Sequence, residues 1–129
     1  MLLTIDIGNT NMNIGLFDDE LLTMSDRLAT ERQKTDDQFA VEFLNIFKIY
    51  NIDFNNIMGA VISSVVPEIT VHVKNAVQKL IGKNVIVLSP GVKTGLNILI
   101  DNPAQLGADL AAGAVGAVSE YPLPAIVID

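Results

Sequence analysis

Six consecutive residues, Asp6-Ile7-Gly8-Asn9-Thr10-Asn11, carry the densest chemistry in this chain. Gly8 can take a positive φ and lets backbone N–H groups come close to a ligand. Asn9, Thr10 and Asn11 add side-chain donors. Asp6 can hold a Mg²⁺ ion, directly or through water, and the metal would in turn grip phosphate oxygens. The set suits a phosphate. It equally suits a plain β-hairpin, because Gly and Asn favour hairpin turns and Asp often ends a strand.

Asp109 is the second candidate. The pattern predicts a helix over 103–119, opened by Pro103, with Asp109 about two turns in and no other charge before Glu120. Gly107, Ala108, Ala111, Ala112 and Gly113 surround it, and such small residues let a backbone or a ligand approach. A carboxylate there can act as general base if a substrate hydroxyl reaches it. It also reads as an exposed acid helped by the helix N-terminus. His72, the only histidine, has no acid or second ligand at metal spacing and reads as a surface residue. Ser63 and Ser64 read as helix N-caps before Pro67. Lys93-Thr94-Gly95 lacks the glycine pattern of a P-loop. Asp18-Asp19-Glu20 reads as a solvated turn.

The elements that must hold these residues follow from periodicity. Strands are expected at 2–7, 12–17 and 21–28. A helix is expected at 36–50, with Thr35 as N-cap, Gln38 completing a capping box, and Phe39, Ala40, Phe43, Leu44 and Phe47 as its apolar stripe. The continuous apolar run 57–62 reads as a strand covered on both faces. Pro67 opens a helix that runs to about Ile81, with Gly82 past its end. A strand at 84–88, the helix at 103–119 and a strand at 125–129 complete the order. Three hairpin-linked strands followed by helix–strand alternation predict an α/β fold, a mixed sheet with helices on both faces. The final strand, Ala125-Ile126-Val127-Ile128-Asp129, ends in Asp as Thr4-Ile5-Asp6 does, and is expected to lead into a turn.

Composition narrows the classes. The 129 residues suffice for one domain with a real core. Half of them are apolar, yet no apolar run approaches the ~20 residues of a membrane span. The start lacks the basic region of a signal peptide. With no cysteine there is no disulfide framework and no thiolate metal site. A cytoplasmic protein is the expectation. The net charge of −7, from 8 basic and 15 acidic residues, argues against a nucleic-acid footprint. Local backbone donors and a metal can still outweigh it for an anionic ligand.

Taken together, Asp6-Ile7-Gly8-Asn9-Thr10-Asn11, Ile62-Ser63-Ser64-Val65-Val66-Pro67, Thr94-Gly95-Leu96, Asn102-Pro103 and Gly107-Ala108-Asp109 resemble the type III pantothenate kinases. The segments stand in that family's order and cover nearly the whole chain. The resemblance implies the acetate and sugar kinase, heat-shock chaperone and actin superfamily, in which two ribonuclease-H-like domains hold ATP in a cleft. Residues 1–120 would form the first domain, with the order βββαβαβα. Residues 121–129 would be the first strand of the second, so the chain reads as an amino-terminal half.

The implied reaction is ATP-dependent phosphorylation of the primary hydroxyl of pantothenate, the first step of coenzyme A synthesis. Asp6, Gly8, Asn9, Thr10 and Asn11 match the first phosphate loop. Asp109 matches the proposed general base, with Gly107 beside it in the substrate site. Asp6 and Asp129 match acids near the metal and the monovalent cation. The implied cofactors are ATP, Mg²⁺ and K⁺ or NH₄⁺. The implied partners are a small-molecule substrate and, in the full-length protein, a second copy in a homodimer, with neither nucleic acid nor membrane. One residue departs from the pattern: Leu110 stands where the family carries Arg, whose guanidinium fork suits the pantothenate carboxylate. Two alternatives stay open, a non-catalytic ATP-binding relative acting as an accessory factor and a kinase of the superfamily with another hydroxyl substrate. The chain alone is expected to be inactive and to self-associate.

Overall fold

The structure is a computed structural model and describes residues 1–89 and 92–128. It divides into two compact units, Met1–Val87 and Leu88–Asp129.

The first unit is built on strand β1 (Leu2–Ile7), whose alternation places Leu3, Ile5 and Ile7 in the core and Asp6 in solvent. β1 pairs antiparallel with β2 (Asn11–Asp18), and β2 antiparallel with β3 (Leu21–Ala29). On its other side β1 pairs in parallel with β4 (Gly59–Ser64), which pairs in parallel with the short β5 (Val85–Val87). The five-stranded order is β3-β2-β1-β4-β5, with only β2 reversed. This is the mixed α/β sheet expected from the sequence. Register aligns apolar residues on one face of the central strands: Leu3 lies beside Leu16 and Ala60, and Ile5 beside Ile14 and Ile62. The Asp18-Asp19-Glu20 segment is the expected tight turn, with Asp19 at φ 50, a left-handed conformation that Asp tolerates.

Helices α1 (Asp36–Ile49) and α2 (Pro67–Ile81) pack on each other and share the apolar core with that face. Thr35 caps α1 through the capping box with Gln38, as its sequence predicts. Phe39, Phe43 and Phe47 are buried, each contributing roughly 1.5–3 kcal/mol of burial free energy. Phe47 also meets Phe54 edge to face, with centroids 5.2 Å apart. α2 starts at Pro67 and ends at Gly82, which is left-handed at φ 63. Its N-cap is Val66, with no side-chain bond, so Ser63 and Ser64 do not cap it directly. Ser64 instead accepts hydrogen bonds from the Val66 N–H (3.0 Å) and the Thr70 hydroxyl (2.8 Å).

Four elements differ from their sequence expectations. The strands expected at 57–62 and 84–88 occupy Gly59–Ser64 and Val85–Val87. In the second unit the helix expected at 103–119 breaks into a 3-10 turn, Pro103–Gln105, and α3, Ala108–Glu120. The Asn102 carboxamide accepts from the Ala104 N–H and caps the short turn, and extended backbone at Leu106 and Gly107 separates the two pieces. The strand expected at 125–129 is not formed over 125–128, and Asp129 lies outside the described residues. A strand needs a neighbour for its N–H and C=O groups, and none of the strands among the described residues pairs with this segment.

His72 of α2 meets Asp36 of α1, 36 residues away in sequence. Its Nδ1 lies against one Asp36 carboxylate oxygen, and Asn75 donates to the other at 2.8 Å. These two contacts, His72 first, hold the Asp36 carboxyl below its ordinary value of 3.8 and tie α2 to the first turn of α1. A depressed folded-state value means stability that is full above the unfolded value and lost as pH falls through the folded one. We therefore expect Asp36→Asn to be less stable than the parent at about pH 5 and the gap to close toward about pH 3. Thermal melts across that range check this; a gap that widens on acidification contradicts it.

Candidate active site

The turn between β1 and β2 gathers Asp6, Gly8, Asn9, Thr10 and Asn11 around one loop, as expected. Its geometry corrects one detail. Gly8 is not among the positive-φ glycines, which are Gly82 and Gly95. The need for glycine is a close approach: the Gly8 N–H donates to the Asn11 carbonyl at 2.9 Å, and a Cβ on Gly8 would stand 3.1 Å from that oxygen. Asn9 and Thr10 are exposed at the tip, and their N–H groups make no backbone hydrogen bond among the described residues. They are free to meet an anion.

The turn sits at the carboxyl end of β1, the central strand, which separates β2 and β3 on one side of the sheet from β4 and β5 on the other. Ligands of open α/β sheets bind at such switch points. Asp6 is exposed there on the face opposite the core, in register with Ser63 of β4. Ser63 is 7% exposed, and its hydroxyl has no hydrogen-bond partner among the described residues. A buried hydroxyl without a partner costs free energy, so this one is suited to a bound water or ligand group.

Two residues outside the expected set brace the turn. The Thr30 hydroxyl donates to the Gly8 carbonyl at 2.8 Å, and the Thr30 N–H donates to the Thr10 carbonyl at 2.9 Å. The Arg32 guanidinium donates to the Asn9 carboxamide oxygen at 3.2 Å and lies 3.5 Å from Glu68. Both residues follow β3, far from the turn in sequence. No local pattern marks them; only the pairing of β2 with β3 brings them in.

In the second unit Gly107 and Asp109 stand together at the start of α3. Gly107 is the N-cap and Asp109 lies in the first turn, not two turns in, because α3 begins at Ala108. The Leu110 N–H donates to Asp109 Oδ1 at 2.8 Å. A Cβ on Gly107 would lie 2.3 Å from that same oxygen, so only glycine leaves room for this carboxylate position. Asp109 is half-buried, and Leu110 is exposed. Within this unit a cavity of about 310 Å³ is lined by Ser89, Thr94, Pro103, Leu106 and Ala111, among others. Lys93 is exposed and does not line it. Asp129 lies outside the described residues.

The first unit is of the α/β class, and its mixed sheet carries at the end of the first strand an exposed acid and a glycine-containing turn, an arrangement that suits a phosphate. The family model of type III pantothenate kinases matches residues 2–129, and the chain belongs to that family. It is 44% identical over 129 residues to a type III pantothenate kinase of Halalkalibacterium halodurans. That match covers 100% of this chain and 51% of the relative, so the chain spans about half the relative's length. Among solved structures, a Bacteroides thetaiotaomicron protein with an actin-like ATPase fold and unknown function aligns at TM-score 0.49 and 10% identity. The alignment covers 66% of this chain and 31% of that one.

The brace generates a prediction. Thr30→Val removes the hydroxyl bond to Gly8 and keeps the backbone bond to Thr10. We expect a loss of about 1 kcal/mol in urea unfolding and faster exchange of the Gly8 amide, which donates to the Asn11 carbonyl in the parent. Unchanged exchange there would show that the hydroxyl does not hold the turn.

Proposed function

We propose that the protein carrying this chain transfers the γ-phosphoryl group of ATP to the primary hydroxyl of pantothenate, giving 4′-phosphopantothenate for coenzyme A synthesis. Family membership over residues 2–129 carries the reading, and the open β1–β2 turn supports its nucleotide half. Phosphoryl transfer depends on positioning and charge neutralisation more than on covalent help from the protein. In this reading the Asn9 and Thr10 N–H groups and the side chains of Asn9, Thr10 and Asn11 hold the phosphate oxygens.

Asp109 is the base that takes the proton from the attacking hydroxyl. The Leu110 N–H fixes Oδ1, which leaves Oδ2 to accept that proton. Gly107 gives the carboxylate its room. The cavity beside α3, with Thr94 and Pro103 on its wall, is a fitting place for the pantothenate chain.

Asp6 fits a Mg²⁺ ion, because the carboxylate is exposed and the neighbouring Ser63 hydroxyl lacks, among the described residues, a partner that a metal-bound water would supply. Magnesium usually takes one or two carboxylates plus phosphate oxygens. When bound, it would neutralise charge on the phosphates. Among the described residues no three His, Cys, Asp or Glu groups cluster as a metal site. The K⁺ or NH₄⁺ ion, the metal role of Asp129 and the homodimer rest on the resemblance alone, and the cytoplasmic location rests on the composition. Among the described residues no helix is long and apolar enough to cross a membrane.

Two kinetic predictions follow from these roles. In the full-length protein assayed with ATP, Mg²⁺, K⁺ and pantothenate, Asp109→Asn should lower kcat by about 10²-fold or more. Product formation at the parent rate would remove Asp109 from the chemistry. Leu110→Arg should lower the KM for pantothenate, since a guanidinium would pair with its carboxylate. An unchanged KM would mean that the position does not face the substrate. No turnover by the parent, with ATP still bound, would favour the non-catalytic relative.

A further inference from the structure

Arg32 is the cation seated on the phosphate turn, and the established contacts leave most of its donors unused. A guanidinium carries five N–H donors. Here two arms reach Asn9 Oδ1 at 3.2 Å and Glu68 at 3.5 Å, and the side chain is 51% exposed. Its nearest partner is a neutral amide, itself exposed at the turn tip. The chain carries a net charge of −7, so a polyanion approaching this turn needs a local positive charge.

The backbone that carries Arg32 is fixed on both sides. Thr30 is bonded to Gly8 and Thr10 of the turn. Lys34 pairs with Glu42 of α1 and with Glu31 at 2.6 Å, and its side chain is only 17% exposed. Burial pulls the Lys34 pKa down, but the hydrogen bonds to Glu31 and Glu42 outweigh it and the net shift is upward. Lys34 is thus a committed structural cation, while Arg32, two residues earlier, is held at the turn by two exposed contacts, to Asn9 and Glu68.

We propose that Arg32 binds the phosphate oxygens of the nucleotide held by the β1–β2 turn, exchanging its contact with Asn9 for them. The proposal rests on the phosphate-turn reading and adds a residue to it. The planar fork matches phosphate oxygens in a way that an ammonium does not. Glu68 competes with the phosphates for the same guanidinium, so its removal frees Arg32.

The test is calorimetric titration of the full-length protein with ATP and Mg²⁺, for the parent, Arg32→Gln, Arg32→Lys and Glu68→Gln. Arg32→Gln should weaken ATP binding about tenfold, the scale of a charge-assisted hydrogen-bond pair. Arg32→Lys should recover part of the loss, and Glu68→Gln should bind at least as tightly as the parent. The thermal midpoint of Arg32→Gln and its KM for pantothenate should stay at the parent values. Parent-like ATP binding by Arg32→Gln overturns the proposal. So does a loss of ATP affinity matched by an equal rise in pantothenate KM and a fall in thermal midpoint, which marks a structural role. A parent protein that binds no ATP overturns the phosphate-turn reading itself, a distinct result.

Discussion

The period-two alternation of β1 is the constraint on which the site depends. Leu3, Ile5 and Ile7 are fully buried; Leu3 and Ile5 are matched in register to apolar residues of β2 and β4, and Ile7 lies beside Met12 and Ser64. Three buried side chains on one face fix which face each intervening residue takes. A slip of one residue would turn Asp6 into the core and three large apolar groups outward. The cost of burying a lone carboxylate makes that slip prohibitive. The core thereby determines that Asp6 emerges at the carboxyl end of the central strand, beside Ser63 and next to the turn.

The turn is held by a different kind of interaction. Its own sequence closes it only through the Gly8–Asn11 hydrogen bond. The rest of its support comes from residues 30–34, which leave β3, bond to Gly8 and Thr10, and anchor to α1 through Lys34 and Glu42. The loop tip is therefore preorganised by the same segment that starts the first helix. Preorganised donors are what phosphate binding needs, because they cost little reorganisation when the ligand arrives.

Much of this was legible in the sequence where the signal was local. The Thr35–Gln38 capping box, Pro67 at the start of α2 and Gly82 at its end mark helix bounds through backbone groups within four residues. The first strands were legible because alternation is a short-range pattern. Pro103 misled in part, since proline opens a 3-10 turn as readily as an α-helix, and the extended Gly107 then restarts the chain for α3. The segment 125–128 has strand composition but no strand beside it among the described residues, and composition cannot supply a partner. Among the site residues, Asp6, Gly8, Asn9, Thr10, Asn11, Gly107 and Asp109 lie in short motifs. Thr30, Arg32 and the Ser63 hydroxyl gain their meaning only through strand pairing. The reason for Gly8 was read as conformational freedom, whereas the geometry makes it a matter of space beside the Asn11 carbonyl.

The central claim is that the β1–β2 turn grips nucleotide phosphates through its backbone. Hydrogen–deuterium exchange on the full-length protein, with and without ATP and Mg²⁺, tests it most directly. The account predicts that amides of residues 8–11 become protected when ATP is added and that adenosine alone leaves them unchanged. Equal protection by adenosine, or ATP-dependent protection elsewhere with none in this turn, would contradict it.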